Sequence, residues 1–273
     1  MAQLSQRSLA VCAWSLQPES PGDLVDKLQR VGLSRVQLHL TGRAESDQAS
    51  GGALSDAGIA IVSGMMTPVG EDYSTLETIR RTGGVVPDEH WPTNREMASG
   101  VAAQAGDMGL ERVSFHAGFI PDDHASAGFA KLRDRLIEWA DIFGARGIKL
   151  LLETGQETAE GLERFLDACD RPNLGVNFDP ANMLLYGMGD PIDALDRLMP
   201  RVEQVHLKDA QPSETAGEWG AEVPVGKGSV DWPAFLSVLN RAGYAGDMCF
   251  EREAGSDRVS DIRLGAEHIG SLL

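Results

Sequence analysis

Positive charge is scarce in this chain: 24 Lys and Arg residues stand against 41 Asp and Glu, a formal net charge of −17 over 273 residues. Such a surface repels phosphate backbones and anionic lipid, so nucleic acids and membranes are poor partners for it. Cysteine is scarce too. Cys12, Cys169 and Cys249 fall at unrelated spacings, which predicts buried free thiols in a reducing compartment rather than a disulfide framework. No apolar stretch reaches the roughly 18 residues that a membrane span needs. Met1 to Trp14 lacks a basic segment followed by a long apolar one, so no secretory signal is expected and the cytoplasm is the default location. Neither an interdomain linker nor a low-complexity segment interrupts the chain, which predicts a single domain over 1–273.

What the chain does have is a period. Short apolar runs alternate with longer amphipathic segments from end to end. The runs are Leu9–Ala13, Val36–Leu40, Ile59–Met65, Arg112–Phe115, Ile148–Leu152, Leu174–Phe178, Val202–Leu207 and Asp247–Phe250. Helix-like stretches lie between them, at Gly22–Val31, Asn94–Met108, Ala127–Ala145, Glu157–Cys169, Pro191–Leu198 and Trp232–Ala242, with Asp257–Leu273 closing the chain. Gly32, Gly58, Gly109, Gly147 and Gly243 stand where helices should end, at the left-handed cap position that glycine adopts without strain.

Eight strand signals, each followed by a helix signal, predict parallel strands joined by helical crossovers. A doubly wound open sheet should carry a glycine-rich phosphate turn after an early strand, whereas the first run leads into "CAWSLQPES". The fold expected is therefore α/β, a single (β/α)8 TIM barrel, and a 42% hydrophobic composition can fill its core. Three connections are long: Thr67–Thr93, Gly118–Ser126 and Lys208–Val230. All leave the C-terminal ends of strands, where barrel active sites are built. The first, with Trp91 among its turn residues, reads as a lid or pocket wall.

Runs five to eight end in "IKLLLE", "LGVNFD", "VEQVH" and "DMCFE", so Glu153, Asp179, His206 and Glu251 stand at four successive strand ends. One carboxylate at a strand end is usually a helix cap or a solvated loop residue. Four polar residues on adjacent strands of a closed barrel must converge on one mouth. Three carboxylates without a cation would repel strongly in a partly desolvated site, so a divalent ion is expected among them. Three oxygen donors and one imidazole favour manganese, magnesium or cobalt over a thiolate-loving metal, with zinc left open.

At this point the chain resembles the xylose isomerase-like barrel superfamily, in its sugar phosphate isomerase/epimerase branch. The resemblance is carried by "CAWSLQP", "SFHAGFIP", "LLETGQET", "NFDPANMLLYG", "QVHLKDA", "VPVGKGSVDWPAFL" and "CFERE", in order and at barrel spacing. It implies metal ligands at the same four residues, Glu153, Asp179, His206 and Glu251. It also implies a catalytic pair, Glu153 and Glu251, flanking a carbon from which one takes a proton and to which a proton returns. The substrate implied is a small sugar or sugar-like hydroxyketone, and the reaction an isomerisation or epimerisation. A proton α to a ketone is weakly acidic, so a Lewis acid must stabilise the enediolate, and a carboxylate base contributes roughly 10²–10⁴-fold.

Further residues are candidates for holding substrate, each with a plainer reading beside it. His116 in "SFHAG" can bond a hydroxyl or be a satisfied core histidine. Lys208 lies two residues past His206, on the same side, and can reach a developing oxyanion or lie on the surface. Arg252 can bind a polar substrate group or form a salt bridge, and Trp14 can stack on a sugar face or simply pack. Gln156 and Glu157 can reach hydroxyls or cap a helix; for His39 core packing is favoured. His90, His124 and His268 read as solvated.

Asn182 marks a departure: ketose 3-epimerases usually have a histidine three residues after the metal aspartate, and an amide cannot act as acid or base. The "HLKD" stretch looks more like members that dehydrate or isomerise inososes and oxidised sugars, which makes a dehydratase the alternative. "VGKGS" (Gly226 to Ser229) is read as a turn leading into a helix, with a phosphate seat as the other option. Two remoter readings are an endonuclease IV-type hydrolase, disfavoured by few mouth histidines and by the charge, and a non-catalytic sugar-binding barrel, disfavoured by the intact ligand set. A homo-oligomer is left open.

Overall fold

A computed structural model describes residues 4–5, 8–42, 51–215 and 217–273. The connection after the second strand therefore lies outside the described residues over 43–50, as does position 216 in the Lys208–Val230 connection. Eight parallel strands close on themselves: β1 (Leu9–Cys12), β2 (Arg35–His39), β3 (Ala60–Met65), β4 (Arg112–Phe115), β5 (Lys149–Glu153), β6 (Leu174–Phe178), β7 (Val202–Leu207) and β10 (Met248–Phe250). Each pairs with the next, and β10 closes the ring between β7 and β1. The expected TIM barrel is thus the observed architecture, with strand boundaries within about a residue of those expected. No helix among the described residues is long and apolar enough to cross a membrane.

The two-residue period of a strand divides each one between two environments. Outward residues such as Val11, Val36, Val113, Phe115, Leu150, Leu152, Val176, Phe178, Val205, Leu207 and Phe250 join one continuous apolar core with the surrounding helices. Helix Ala127–Gly144 shows how that core is met: it buries Phe129, Leu132, Leu136, Trp139, Ala140 and Phe143, at helical spacing. Inside the barrel, Ala10, Cys12 and Cys249 form a separate small cluster. The rest of the lumen is largely polar: Gln37, Ser63, Ser114, Asn177, Gln204 and His206 are each 0–1% exposed. All three cysteines are buried and free, as expected.

Helix starts follow their capping chemistry. Ser20, Thr75, Ser126, Thr158, Asp190, Asp231 and Asp257 each accept a backbone N–H two or three residues on. The five glycines expected at helix ends all have φ between 70° and 75°. Thr158 rather than Gln156 or Glu157 caps helix Ala159–Cys169, so that helix begins two residues later than its pattern suggested.

The long connections have more structure than a loop reading allowed. Thr67–Thr93 contains helix Leu76–Thr82 and the start of helix Trp91–Asp107. Trp91 stacks on Trp139, 6.1 Å between ring centroids, and so packs against the core rather than the pocket. After β6 comes a short helix, Pro180–Tyr186, that the periodicity had not separated from the strand. After β7 the chain makes a two-stranded antiparallel ribbon, β8 (Asp209–Gln211) with β9 (Ala221–Val223).

Asp209 anchors that ribbon to the following turn. Its buried carboxylate accepts the N–H groups of Ala210, Gly226, Gly228 and Val230 and the indole of Trp232, at 2.9–3.2 Å. The glycine turn "VGKGS" is therefore filled by the protein's own carboxylate, which decides for the turn reading. Asp209→Ala would leave these donors unpaired and should destabilise the protein by about 3 kcal/mol. Urea unfolding measures this, and a loss under about 0.5 kcal/mol, the range of neutral surface changes, would contradict the assignment.

Candidate metal centre

Strand alternation decides which residues reach the barrel mouth. In β5, β6, β7 and β10 the inward positions run Leu151 then Glu153, Asn177 then Asp179, Gln204 then His206, and Cys249 then Glu251. The last member of each pair stands within one residue of its strand end. Glu153, Asp179, His206 and Glu251 offer ligand atoms that all lie within 4.8 Å of one another, and all four are buried. These are the four residues that the strand-end pattern had singled out.

Each carboxylate is held by neighbours. Glu153 accepts the side-chain amides of Asn177 (3.2 Å, Oε2) and Asn182 (3.0 Å, Oε1). Gly155 makes the second contact feasible: its φ is 145°, and a Cβ there would lie 2.4 Å from the Asn182 Cβ. Glu251 accepts the Trp14 indole (2.8 Å) and the Lys208 ammonium (3.0 Å) on its two oxygens. Asp179 spends Oδ1 on the N–H groups of Ala181 and Asn182, capping helix Pro180–Tyr186. Its Oδ2 has no hydrogen-bond partner, and neither has His206 Nδ1. That nitrogen lies 3.3 Å from Glu153 Oε1, 3.4 Å from Glu251 Oε2 and 3.9 Å from Asp179 Oδ2.

The other face of the imidazole shows which nitrogen is free to ligate. Gln37 donates its amide N–H groups to Gly64 O (3.2 Å) and Ser114 Oγ (2.9 Å), which turns Oε1 toward His206 Nε2 at 2.8 Å. An amide oxygen only accepts, which favours a proton on Nε2, while the Asn177 amide nitrogen, 3.0 Å from the same atom, favours a lone pair there; with Nε2 engaged by both residues, Nδ1 is the nitrogen left to ligate. Two orphaned, buried donor atoms thus point into one space walled by two more carboxylates. This arrangement fits a hard divalent cation. A second grouping, Cys12 with His206 and Glu251, fits one less well. Burial pushes the Cys12 thiol up to about 12, and its sulfur meets Nε2, 3.7 Å away, the nitrogen already committed to Gln37.

The electrostatics follow from burial against charge. At Glu251, burial raises the carboxyl, but Lys208 and His206 outweigh it and hold it well below the ordinary range. Glu153 is lowered too, its burial overcome by His206 and His116. Asp179 goes the other way: burial, with the fields of Glu153 and Glu251, raises it well above its usual value despite Lys208. Lys208 stays an ammonium because Glu251 and Glu253 more than offset its burial.

Above these residues opens a cavity of about 580 Å³. Of the predicted substrate contacts, Trp14, His116, Asn182 and Lys208 line it. Two do not. Arg252 is buried against Glu222 (2.7 Å) and Asp261 (2.9 Å), so the salt-bridge reading holds and its guanidinium is already spent. Glu157 points into a separate depression beside His124 and Arg164, because the chain turns away after Gly155. Gln156 donates to the Tyr186 hydroxyl at 3.2 Å. His39, expected in the core, is instead exposed on the cavity rim, with Nε2 3.0 Å from Thr67 Oγ1. His124 and His268 are exposed and His90 half-buried.

Several lining residues escaped the sequence reading: Glu71, Tyr73, Tyr186, Trp219, Glu222 and Glu253. Glu71 and Tyr73 arrive on the Thr67–Thr93 connection, which serves as a pocket wall. That wall is seated by Gly84, whose φ of 63° and contact with Ala117 leave no room for a Cβ, and whose N–H binds Glu71 Oε1 at 2.8 Å. Loop residues of this kind have no period to betray them. Gln37 and Asn177 did leave a signal, as polar residues at inward positions of apolar strands.

A family model described as "Xylose isomerase-like TIM barrel" matches residues 25–272. Among solved structures, a xylose isomerase domain protein from Planctomyces limnophilus is 33% identical, with a TM-score of 0.86 over 91% of each chain. A xylose isomerase-like TIM barrel protein from Mycobacterium smegmatis, solved in complex with magnesium, is 18% identical, with a TM-score of 0.75 over 99% of this chain and 98% of that one; it bears on the fold. An inosose dehydratase from Clostridium botulinum is 27% identical over 124 residues, 40% of this chain and 41% of that protein's length.

Asp179 yields a test of the electrostatics that needs no substrate. Its native pKa is raised, so its charged form costs stability, and the cost grows as pH rises from the unfolded value toward the native one. Asp179→Asn keeps the cap and removes that charge. At neutral pH the chelator-treated variant should be more stable than the chelator-treated parent by about 1–2 kcal/mol, and this gain should vanish in acid. Lower stability of the variant at neutral pH in urea unfolding would contradict the picture.

Proposed function

The chain belongs to the xylose isomerase-like TIM barrel family, and from that premise we propose that it removes the proton α to the carbonyl of a sugar or sugar-like hydroxyketone. A divalent ion, manganese, magnesium or cobalt, would be held by Glu153, Asp179, His206 and Glu251. When bound, it supplies the Lewis acidity that stabilises negative charge developing on the substrate. The observation that carries this reading is the pair of orphaned buried atoms, Asp179 Oδ2 and His206 Nδ1, facing two further carboxylates.

Within this reading, Glu153 and Glu251 are the proton acceptors. Both are held ionised at neutral pH, and the donors on their oxygens fix their directions. The base that takes the proton becomes the acid that returns it. Lys208, kept as an ammonium, and His116 are placed to donate to substrate oxygens, and Trp14 to cover an apolar face. Return of the proton to the same carbon is epimerisation and to the neighbouring carbon isomerisation; loss of a β-hydroxyl is dehydration. Dehydration is the second reading. Asn182 binds Glu153 at 3.0 Å where epimerases of this kind usually carry a histidine, and a relative named as an inosose dehydratase matches part of the chain.

Gln37 is a positioning residue in this scheme. Gln37→Leu should weaken manganese binding by roughly 10–100-fold, the usual cost of removing an outer partner of a ligating histidine. Isothermal titration measures it; unchanged affinity would show that Gln37 does not position His206.

For the reaction itself, a panel of ketoses and inososes in deuterated water with manganese should include a compound that gains carbon-bound deuterium in recovered substrate or product. Glu153→Gln and Glu251→Gln should each lower turnover by at least about 10²-fold. A compound that converts without solvent deuterium would point to hydride transfer, and full activity of both variants would overturn the two-glutamate mechanism.

A further inference from the structure

The charge around the cavity is one-sided. Among the described residues, Glu71, Glu222, Glu251 and Glu253 line it, and Glu153 and Asp179 stand behind Asn182 and Lys208. Six carboxylates thus face two permanently charged cations in contact with them, Lys208 and Arg252. Both cations are already paired with carboxylates of the protein. Lys208 binds Glu251 at 3.0 Å and Glu253 at 2.6 Å, and Arg252 is shared between Glu222 and Asp261. With a divalent ion bound and its carboxylate ligands ionised, these groups would still carry a formal charge of about −2.

The glycine turn after β7, which the sequence offered as a phosphate seat, is closed. Asp209 Oδ2 takes the N–H groups of Gly226 and Gly228, and Oδ1 takes that of Val230. Any anion there would displace a carboxylate that is already satisfied. The rest of the lining is an aromatic and apolar wall that includes Trp14, Tyr73, Tyr186 and Trp219, together with His39, Thr67, His116 and Asn182, which carry no fixed positive charge. The aromatic faces suit the C–H faces of a polyol and the hydroxyl, amide and imidazole groups suit its hydroxyls, whereas an anionic group would meet the surplus of carboxylates.

Resting on the hydroxyketone reading above, we infer that the cavity selects an uncharged polyhydroxyketone and rejects the phosphorylated or carboxylated counterparts of the same skeleton. Specificity of this kind is set by repulsion as much as by attraction.

The test compares matched probes on the magnesium-loaded protein by isothermal titration: D-ribulose with D-ribulose 5-phosphate, D-fructose with D-fructose 6-phosphate, and myo-inosose with the ring ketone 3-dehydroquinate, which carries a carboxylate. At least one uncharged member should bind, at least about tenfold tighter than its anionic partner. The ratio should shrink at high salt. It should also shrink in Glu253→Gln, which removes a half-exposed charge and frees Lys208. Equal or tighter binding of the anionic members would overturn the inference while leaving the hydroxyketone reading intact. Saturable binding of no probe, charged or uncharged, would overturn both.

Discussion

Three buried carboxylates packed around one imidazole are the constraint on which the rest of this structure depends. Bringing Glu153, Asp179 and Glu251 within 4.8 Å of one another out of water costs free energy that apolar packing elsewhere must offset. The surrounding residues read as the means of tolerating that cost. Amides from Asn177 and Asn182, an indole from Trp14, an ammonium from Lys208 and two backbone N–H groups take up most of the oxygens. The atoms left over converge, so the uncompensated part of the cost sits where a cation would act.

The barrel suits this because it separates two solvents along every strand. Outward positions carry the apolar core, which stabilises the fold, and inward positions are free to carry polar groups. Gln37 shows the benefit. Fixed by Gly64 on β3 and Ser114 on β4, it orients His206, a task for which a mobile side chain would be too loose. Positioning of this kind runs from strand register to amide orientation to the nitrogen left to ligate.

Above the strands, the connections supply shape and charge. The Thr67–Thr93 wall brings Glu71 and Tyr73 over the mouth, and the ribbon after β7 brings Glu222 beside it. Asp209 uses in folding the backbone donors that could otherwise have received an anion. The chain's overall excess of acid is thus repeated at the cavity, where it bears on which ligands can enter.

Much of this was legible in the residues themselves. Eight apolar runs with helical spacers and glycine caps specify a barrel because periodicity and capping are local properties of the chain. The four strand-end residues were legible for the same reason: a period of two, counted along "IKLLLE", "LGVNFD", "VEQVH" and "DMCFE", puts them on one side of a closed sheet. What only the tertiary structure decided is pairing between residues far apart in sequence. Arg252 adjoins Glu251 in the chain, yet its guanidinium is claimed by Glu222 and Asp261. Glu157 follows Glu153 by four residues and is carried out of the cavity by the turn at Gly155. Glu71 and Tyr73 lie on a connection without a period, and reach the site because a glycine at φ 63° lets that connection settle against the end of β4. Alternation along a strand can be counted from sequence, but which distant group satisfies a buried charge depends on where closure of the barrel puts it.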